Sequence, residues 1–336
     1  MLISSYLEMG LSMKQYMINK RQYIILSFFL TRFLFLGVGF SSLVNVCKND
    51  LLICSFLGML LGYFFLYLFY KKGSIGKLAS ILVSIATLVT GLLAITTLTG
   101  TYLLFDTPTV AIMGAFFVVL IYGVTKELKV VSRVSEIFYP FCLTMLVIGF
   151  LALLYLVSFY NFLPMFTTGL WTVIKGTIIF AAMSLMPNLL ILNYKDDLEF
   201  KDVGFGYIFG CVITIMTMFY ILGIYGAEFA MTVRFPEYLI LKKINIFNYI
   251  SNIENILVMD WVVNLTIGGL ICTKVLKENM NVYFFAVVMT LIFFGNEFLL
   301  NKDYVHVLFY KNNFYTVCLV ITVLSLFLGK KKVSEP

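Results

Sequence analysis

Charged side chains set inside long apolar runs are the residues of this chain most able to do chemistry. Arg32 lies within the run Tyr23–Val46, Lys175 within Trp171–Leu192, and Asp260 opens Ile256–Val275 beside Trp261. An ionisable group held in hydrocarbon costs several kcal/mol, so each needs a partner or a task. Arg32 has the chemistry of an inner gate or a carboxylate clamp; the alternative is that it snorkels or bonds a neighbouring helix's carbonyls. Lys175 stands one turn into its run, placed to guard an outer mouth, to replace a coupling cation, or simply to snorkel to the interface. Asp260, with Asn264 and Thr266 deeper in, offers an oxygen-lined path. Its plainer reading is an interfacial acid beside a belt tryptophan.

Other chemistries lack material. The single histidine is His306, and the cysteines (Cys47, Cys54, Cys142, Cys211, Cys272, Cys318) are scattered in or beside apolar runs with no C-x-x-C pair. They read as small packing residues. No phosphate-binding glycine loop occurs, and no His, Asp or Glu cluster sits at catalytic spacing. The expectation is therefore no metal, no cofactor and no enzyme. Glu297 reads as interfacial, and the mixed-sign stretch from Lys195 to Asp202 as a solvated loop.

The elements that must position these groups are membrane helices. The 336 residues are 61% hydrophobic and only 12% charged, more apolar surface than a soluble domain can hide. About ten runs are long enough to cross a bilayer as helices: Tyr23–Val46, Leu51–Tyr70, Leu78–Leu104, Thr109–Val124, Phe138–Tyr160, Trp171–Leu192, Val203–Tyr225, Ile256–Val275, Val282–Leu299 and Phe314–Leu328. Basic residues alternate between loops. With the N-terminus cytoplasmic, inner segments hold Lys14, Lys20 and Arg21; Lys71, Lys72 and Lys77; Lys126, Lys129 and Arg133; Lys195 and Lys201; Lys274 and Lys277; and Lys330 to Lys332. Outer loops hold fewer, Lys48, Arg234, Lys242, Lys243, Lys302 and Lys311. Both termini are then cytoplasmic. The net charge of +7 suits anionic inner-leaflet lipid, with no nucleic-acid partner. The organisation predicted is a cytoplasmic segment 1–22, one transmembrane domain 23–329 and a basic tail 330–336.

Ten spans divide into five plus five, 23–160 and 171–329, and an odd number per half inverts one half against the other. The first span of each half carries a small-residue cluster. Span 1 has Gly37-Val38-Gly39-Phe40-Ser41-Ser42; span 6 has Gly176, Ala181-Ala182-Met183-Ser184 and Pro187. Broken helices at both places would put a ligand between Gly37, Val38, Gly39, Phe40 and Ser41 on one side and Ala181, Ala182 and Ser184 on the other. Small residues at such spacing also make helix-packing faces, and a proline near a helix end can be only a kink. The long outer loop Gly226–Glu254 holds Pro236-Glu237-Tyr238-Leu239-Ile240-Leu241 and Ile244–Ile250, read as short amphipathic helices on the protein or membrane surface.

In order along the chain, several pieces resemble the spore germination permease family, the B-subunits of nutrient germinant receptors. Lys20-Arg21-Gln22 precedes span 1, Gly37-Val38-Gly39-Phe40 matches a glycine-rich break, and Asn49-Asp50 opens span 2. Arg133 leads through Ser135-Glu136-Ile137 to Pro140. Leu163-Pro164 leads through Gly169-Leu170-Trp171 to Lys175-Gly176. Phe235-Pro236 leads through Ile244 to Ile253-Glu254 and Trp261. Three features depart from the family pattern: no proline follows the span 1 break, Asn252 replaces an arginine, and Met183-Ser184 stands where an acidic residue is common.

The resemblance implies an all-α polytopic protein of the amino acid–polyamine–organocation superfamily, with a LeuT-like 5+5 inverted repeat and broken helices 1 and 6. It further implies a receptor subunit that binds a small nutrient such as an amino acid, with A and C subunits as partners, in the bacterial cell membrane or spore inner membrane. LeuT-like symporters seat sodium between spans 1 and 8, where Thr266 would supply one oxygen. The outer loop would then cap the vestibule as a lid or a docking surface. An amino-acid secondary transporter driven by protons or sodium is the alternative, and a membrane enzyme or structural protein the third. Few carboxylates within the spans leave little for a proton relay.

Overall fold

The computed structural model describes residues 18–73, 75–166, 168–194, 198–244, 253–301 and 320–324, and these are helices joined by short loops. In chain order they are α1 (Lys20–Phe33), α2 (Phe40–Cys47), α3 (Leu51–Lys72), α4 (Lys77–Leu98), α5 (Thr109–Val124), α6 (Leu128–Leu153), α7 (Leu170–Asn188), α8 (Phe200–Thr232), α9 (Pro236–Lys242), α10 (Ile253–Asn279) and α11 (Val282–Asn301). Among the described residues, seven helical stretches are long and apolar enough to cross a bilayer, and α5 is a shorter apolar helix. Most of the tenth apolar run, together with residues 245–250 of the outer loop, His306 and the terminal tails, lies outside the described residues.

The helices are apolar all round because they answer to two apolar surroundings. Phe56, Leu60 and Phe64 of α3, Val118 and Tyr122 of α5, and Ile137 and Leu151 of α6 are exposed, as lipid-facing side chains should be. The opposite faces close around α1, whose Tyr23, Phe28, Phe29 and Phe33 are fully buried. The helix α8 packs along α1, and small residues permit the approach. A Cβ added at Gly206 would lie 2.5 Å from the Ile24 carbonyl oxygen, and one at Gly210 2.7 Å from the Thr31 Cβ. That four-residue glycine spacing is the small-xxx-small device of membrane helices.

Several helix ends depart from the expected spans. Span 3 is α-helical to Leu98 and then widens into a π turn, Thr99–Leu103. Span 7 bends at Gly226 (φ 71°, ψ 166°) and runs on to Thr232, into what the sequence reads as loop.

Span 6 corrects a prediction. No interruption occurs at Ala181–Ser184: α7 is unbroken from Leu170 to Asn188. Pro187 is the penultimate residue of that helix, so its missing N–H weakens only the last turn. The Asn188 amide donates to the Ser184 carbonyl at 2.8 Å, and the chain then narrows into a 3-10 helix, Leu189–Tyr194. Gly176 of span 6 allows close packing, since a Cβ there would lie 2.2 Å from Cys47 Sγ.

Candidate functional site

Span 1 does break. Between α1 and α2 the backbone passes through a wide π turn, Phe35–Gly39, in which Leu36 (ψ 127°) and Gly37 (φ 85°, ψ −22°) leave helical geometry. The φ of Gly37 falls in the left-handed region that a side chain resists. A Cβ there would also lie 2.8 Å from that of Ala94. The interruption spans Leu36–Gly37, and Phe40 and Ser41 already belong to α2.

The unwound turn frees backbone groups that need partners. The Gly37 N–H donates to Oε1 of Glu237 at 3.1 Å, a contact across 200 positions of sequence. Glu237 lies in the first turn of α9, which begins with Pro236 at a position where no N–H is missed. Far from lying on a surface, α9 is buried through Pro236, Glu237, Tyr238, Ile240 and Leu241. Tyr238 stacks on Tyr102 at 4.1 Å between ring centres and meets Trp261 edge-on at 6.4 Å. Glu237 itself is 1% exposed, and its Oε2 has no hydrogen-bond partner among the described residues. Burial pushes the carboxyl up to about 8, against the smaller opposing pull of its own and the Gly37 N–H groups.

One turn before the break, Arg32 reaches Asp260 of α10 with both prongs, Nη1 to Oδ1 at 3.2 Å and Nη2 to Oδ2 at 2.6 Å. Both side chains are buried, and the guanidinium carbon also stands 5.1 Å from the Phe28 ring centre. Arg32 therefore neither snorkels nor bonds carbonyls, and Asp260 is not an interfacial acid. The Cys142 thiol of α6 shares hydrogen-bond contact with Asp260.

A cavity of about 40 Å³ adjoins these groups, lined by Arg32, Leu36, Thr217, Glu237 and Trp261 with an apolar wall from α6. It has room for roughly two or three waters or one small polar head group. Arg32, Asp260 and the Gly37 break thus converge, and Glu237 completes the set.

The other expected residues go elsewhere. Gly39 faces span 6, where a Cβ would meet Met183 Cε at 2.4 Å, and Phe180 of the same helix packs on Phe35 at 4.9 Å between ring centres. Ala181 and Ala182 line a separate apolar cavity of about 320 Å³ with Leu61, Phe65 and Leu185. Ser184 is tied to Tyr207 at 2.7 Å, inside a buried polar network. There Asn188 accepts from Ser27 at 2.7 Å and donates to Thr31 at 2.8 Å. Lys175 is exposed on α7. Asn264 is fully buried without a hydrogen-bond partner, and Thr266 donates to the Val262 carbonyl of its own helix at 2.7 Å. Thr266 lines a small apolar cavity with Phe33, Gly91 and Leu120, away from the break. Val38 lies within the π turn.

Glu237 is the functional residue that the sequence conceals. Its signal is an acid in a helix whose other early residues, Pro236, Tyr238, Leu239, Ile240 and Leu241, are apolar.

A family model described as spore germination protein matches residues 24–275, three quarters of the chain and every residue that lines the cavity. The chain belongs to the spore germination permease family. No curated protein matches it. Within this permease the matched region ends in α10, beyond Asp260, so the break, the ion pair and Glu237 all lie in the part that carries the family likeness. The chain is thus a multi-pass membrane protein whose charged centre is built from spans 1 and 8 and from the loop helix between spans 7 and 8.

Proposed function

We propose that this permease is the integral membrane subunit of a spore nutrient-germinant receptor and binds a small nutrient, such as an amino acid, at the break in span 1. One observation carries the reading: a backbone amide released from the helix ladder at Gly37 faces a buried carboxylate, next to a cavity bordered by Arg32. Unwound turns of this kind supply ligand contacts in carriers whose sites lie at mid-membrane. The reading includes a ten-span LeuT-like arrangement with inverted halves 23–160 and 171–329, cytoplasmic termini, and A and C subunits as partners in the spore inner membrane. On that orientation α9 lies on the outer side and closes the site from above.

The alternative, a secondary transporter for amino acids, gains support from the same centre. The sequence suggested too few carboxylates for proton coupling, yet Asp260 and Glu237 are both buried beside the break. Purified full-length protein in proteoliposomes separates the two readings. A receptor subunit shows nutrient-dependent thermal stabilisation without accumulation of labelled nutrient under imposed proton or sodium gradients. Gradient-driven accumulation would make it a transporter, and neither stabilisation nor uptake across amino acids and sugars would remove the ligand-binding reading altogether.

A further inference from the structure

The buried carboxylate of Glu237 is half satisfied. Oε1 receives the Gly37 N–H, while Oε2 has no hydrogen-bond partner among the described residues, and Glu237 borders the cavity. Neither protonation state relieves this. An ionised Oε2 lacks a donor, and a protonated one has no acceptor to reach. A buried polar atom left bare is costly and asks for a partner the protein does not itself supply.

The charged groups around Glu237 are committed elsewhere. Arg32, which lines the cavity, and Asp260 neutralise each other in direct contact, with Cys142 near Asp260. Lys242 stands over the rings of Tyr102 and Tyr238 at 5.2 and 5.0 Å, and Lys243 over Tyr225 at 4.5 Å. Tyr225 donates its hydroxyl to the Leu239 carbonyl at 2.8 Å, and Arg234 leans on Phe235. Among the described residues no cation balances Glu237.

We infer that Oε2 of Glu237 is the seat of a protonated amine carried by a small ligand, which makes Glu237 the residue selecting amine-bearing ligands over neutral or purely anionic ones. The inference rests on the reading of the cavity as a ligand site and names the class of ligand that it takes. An ammonium group supplies both the N–H donor and the positive charge that the carboxylate lacks. Thr217 and the edge of Trp261 border the same space. Because burial raises the empty carboxyl to about 8, it holds a proton at neutral pH. Docking of the amine then releases that proton to solvent and leaves a carboxylate–ammonium pair. Charge is conserved: a neutral acid and a cation become an ion pair and a free proton.

The two tryptophans make the test direct, since Trp171 is exposed on α7 and Trp261 lines the cavity. In full-length Trp171→Phe protein, the fluorescence of Trp261 is titrated with methylammonium, tetramethylammonium, propionate and glucose. Methylammonium should give a saturable change, whereas tetramethylammonium, which has no N–H, should give none. Its apparent affinity should climb about tenfold per pH unit from about pH 6 and level near pH 8, as proton competition fades. Glu237→Gln, added to that background, keeps an acceptor for Gly37 and should weaken the response at least about tenfold while flattening its pH profile. Glu237→Asp should bind more weakly and keep the pH slope, which guards against a variant that merely misfolds. An unchanged response in Glu237→Gln, or an equal response to tetramethylammonium, overturns the inference. A response to glucose or propionate alone overturns it and leaves the ligand-site reading standing; silence to every probe removes both.

Discussion

Asp260 holds Arg32 through both carboxylate oxygens, a buried pair joining span 1 to span 8 across 228 positions of sequence. The guanidinium matches the carboxylate in a two-pronged geometry that lysine cannot reproduce. The pair stands one turn before the Leu36–Gly37 interruption, so it anchors the end of α1 where the helix ladder is about to fail.

Removing one partner should therefore cost far more than removing both. Arg32→Met or Asp260→Leu alone leaves a buried charge uncompensated and should destabilise by about 3–5 kcal/mol, whereas the two together should recover most of that loss. Thermal unfolding of the four proteins in one detergent forms the double-mutant cycle. Additive losses would mean that the pair does not couple the two spans.

The break makes a second demand. Gly37→Ala meets two separate penalties, a left-handed φ and a Cβ placed 2.8 Å from that of Ala94. The first costs roughly 1–2 kcal/mol and the second about 1–3 kcal/mol. Ala94→Gly added to Gly37→Ala should return the steric part alone. Full recovery in unfolding measurements would show that the backbone conformation is unstrained, and no recovery that α4 does not confine the turn.

These two sites show what the sequence displays and what it hides. Gly37 and Gly39 interrupt an apolar run at short range, and Arg32 is conspicuous because hydrocarbon tolerates no lone charge; both signals are local. Asp260 was visible, but its partner lies on a distant span and its neighbour Trp261 suggests an interface. Span 6 misled because Gly, Ala and Ser serve close packing as well as unwinding, and Pro187 acts only on the final turn. Glu237 was hidden by the assumption that a loop helix lies on a surface.

Asp50 fixes the segment that leads into α7. Its carboxylate receives the Phe166 N–H at 2.5 Å, the Thr168 N–H at 3.2 Å and the Thr168 hydroxyl. Hydrogen bonds to a charged group contribute roughly 1.5–3 kcal/mol each. Asp50→Ala should therefore loosen this segment while leaving the Arg32–Asp260 centre intact. Amide exchange should accelerate at Phe166 and Thr168 and stay unchanged in α10. Unaltered protection at these two amides would mean that the segment is held by other contacts.

Glu237 should also set how stability depends on pH. Its carboxyl sits at about 8 in the folded protein against an ordinary 4.5, so the folded state binds more protons than the unfolded state between those values. Stability then falls as pH rises through that window; the contribution is fully present below about 4.5 and lost above about 8. Most carboxylates paired in a native state act in the opposite sense. The thermal midpoint should accordingly decline between about pH 5 and 8 in the unmodified protein. In Glu237→Gln, which cannot ionise, the decline should vanish and the midpoint above about pH 8 should exceed that of the unmodified protein. A decline that persists in Glu237→Gln would assign the titration to another group, and a midpoint that rises across the window would mean that Glu237 is ionised and paired in the folded state.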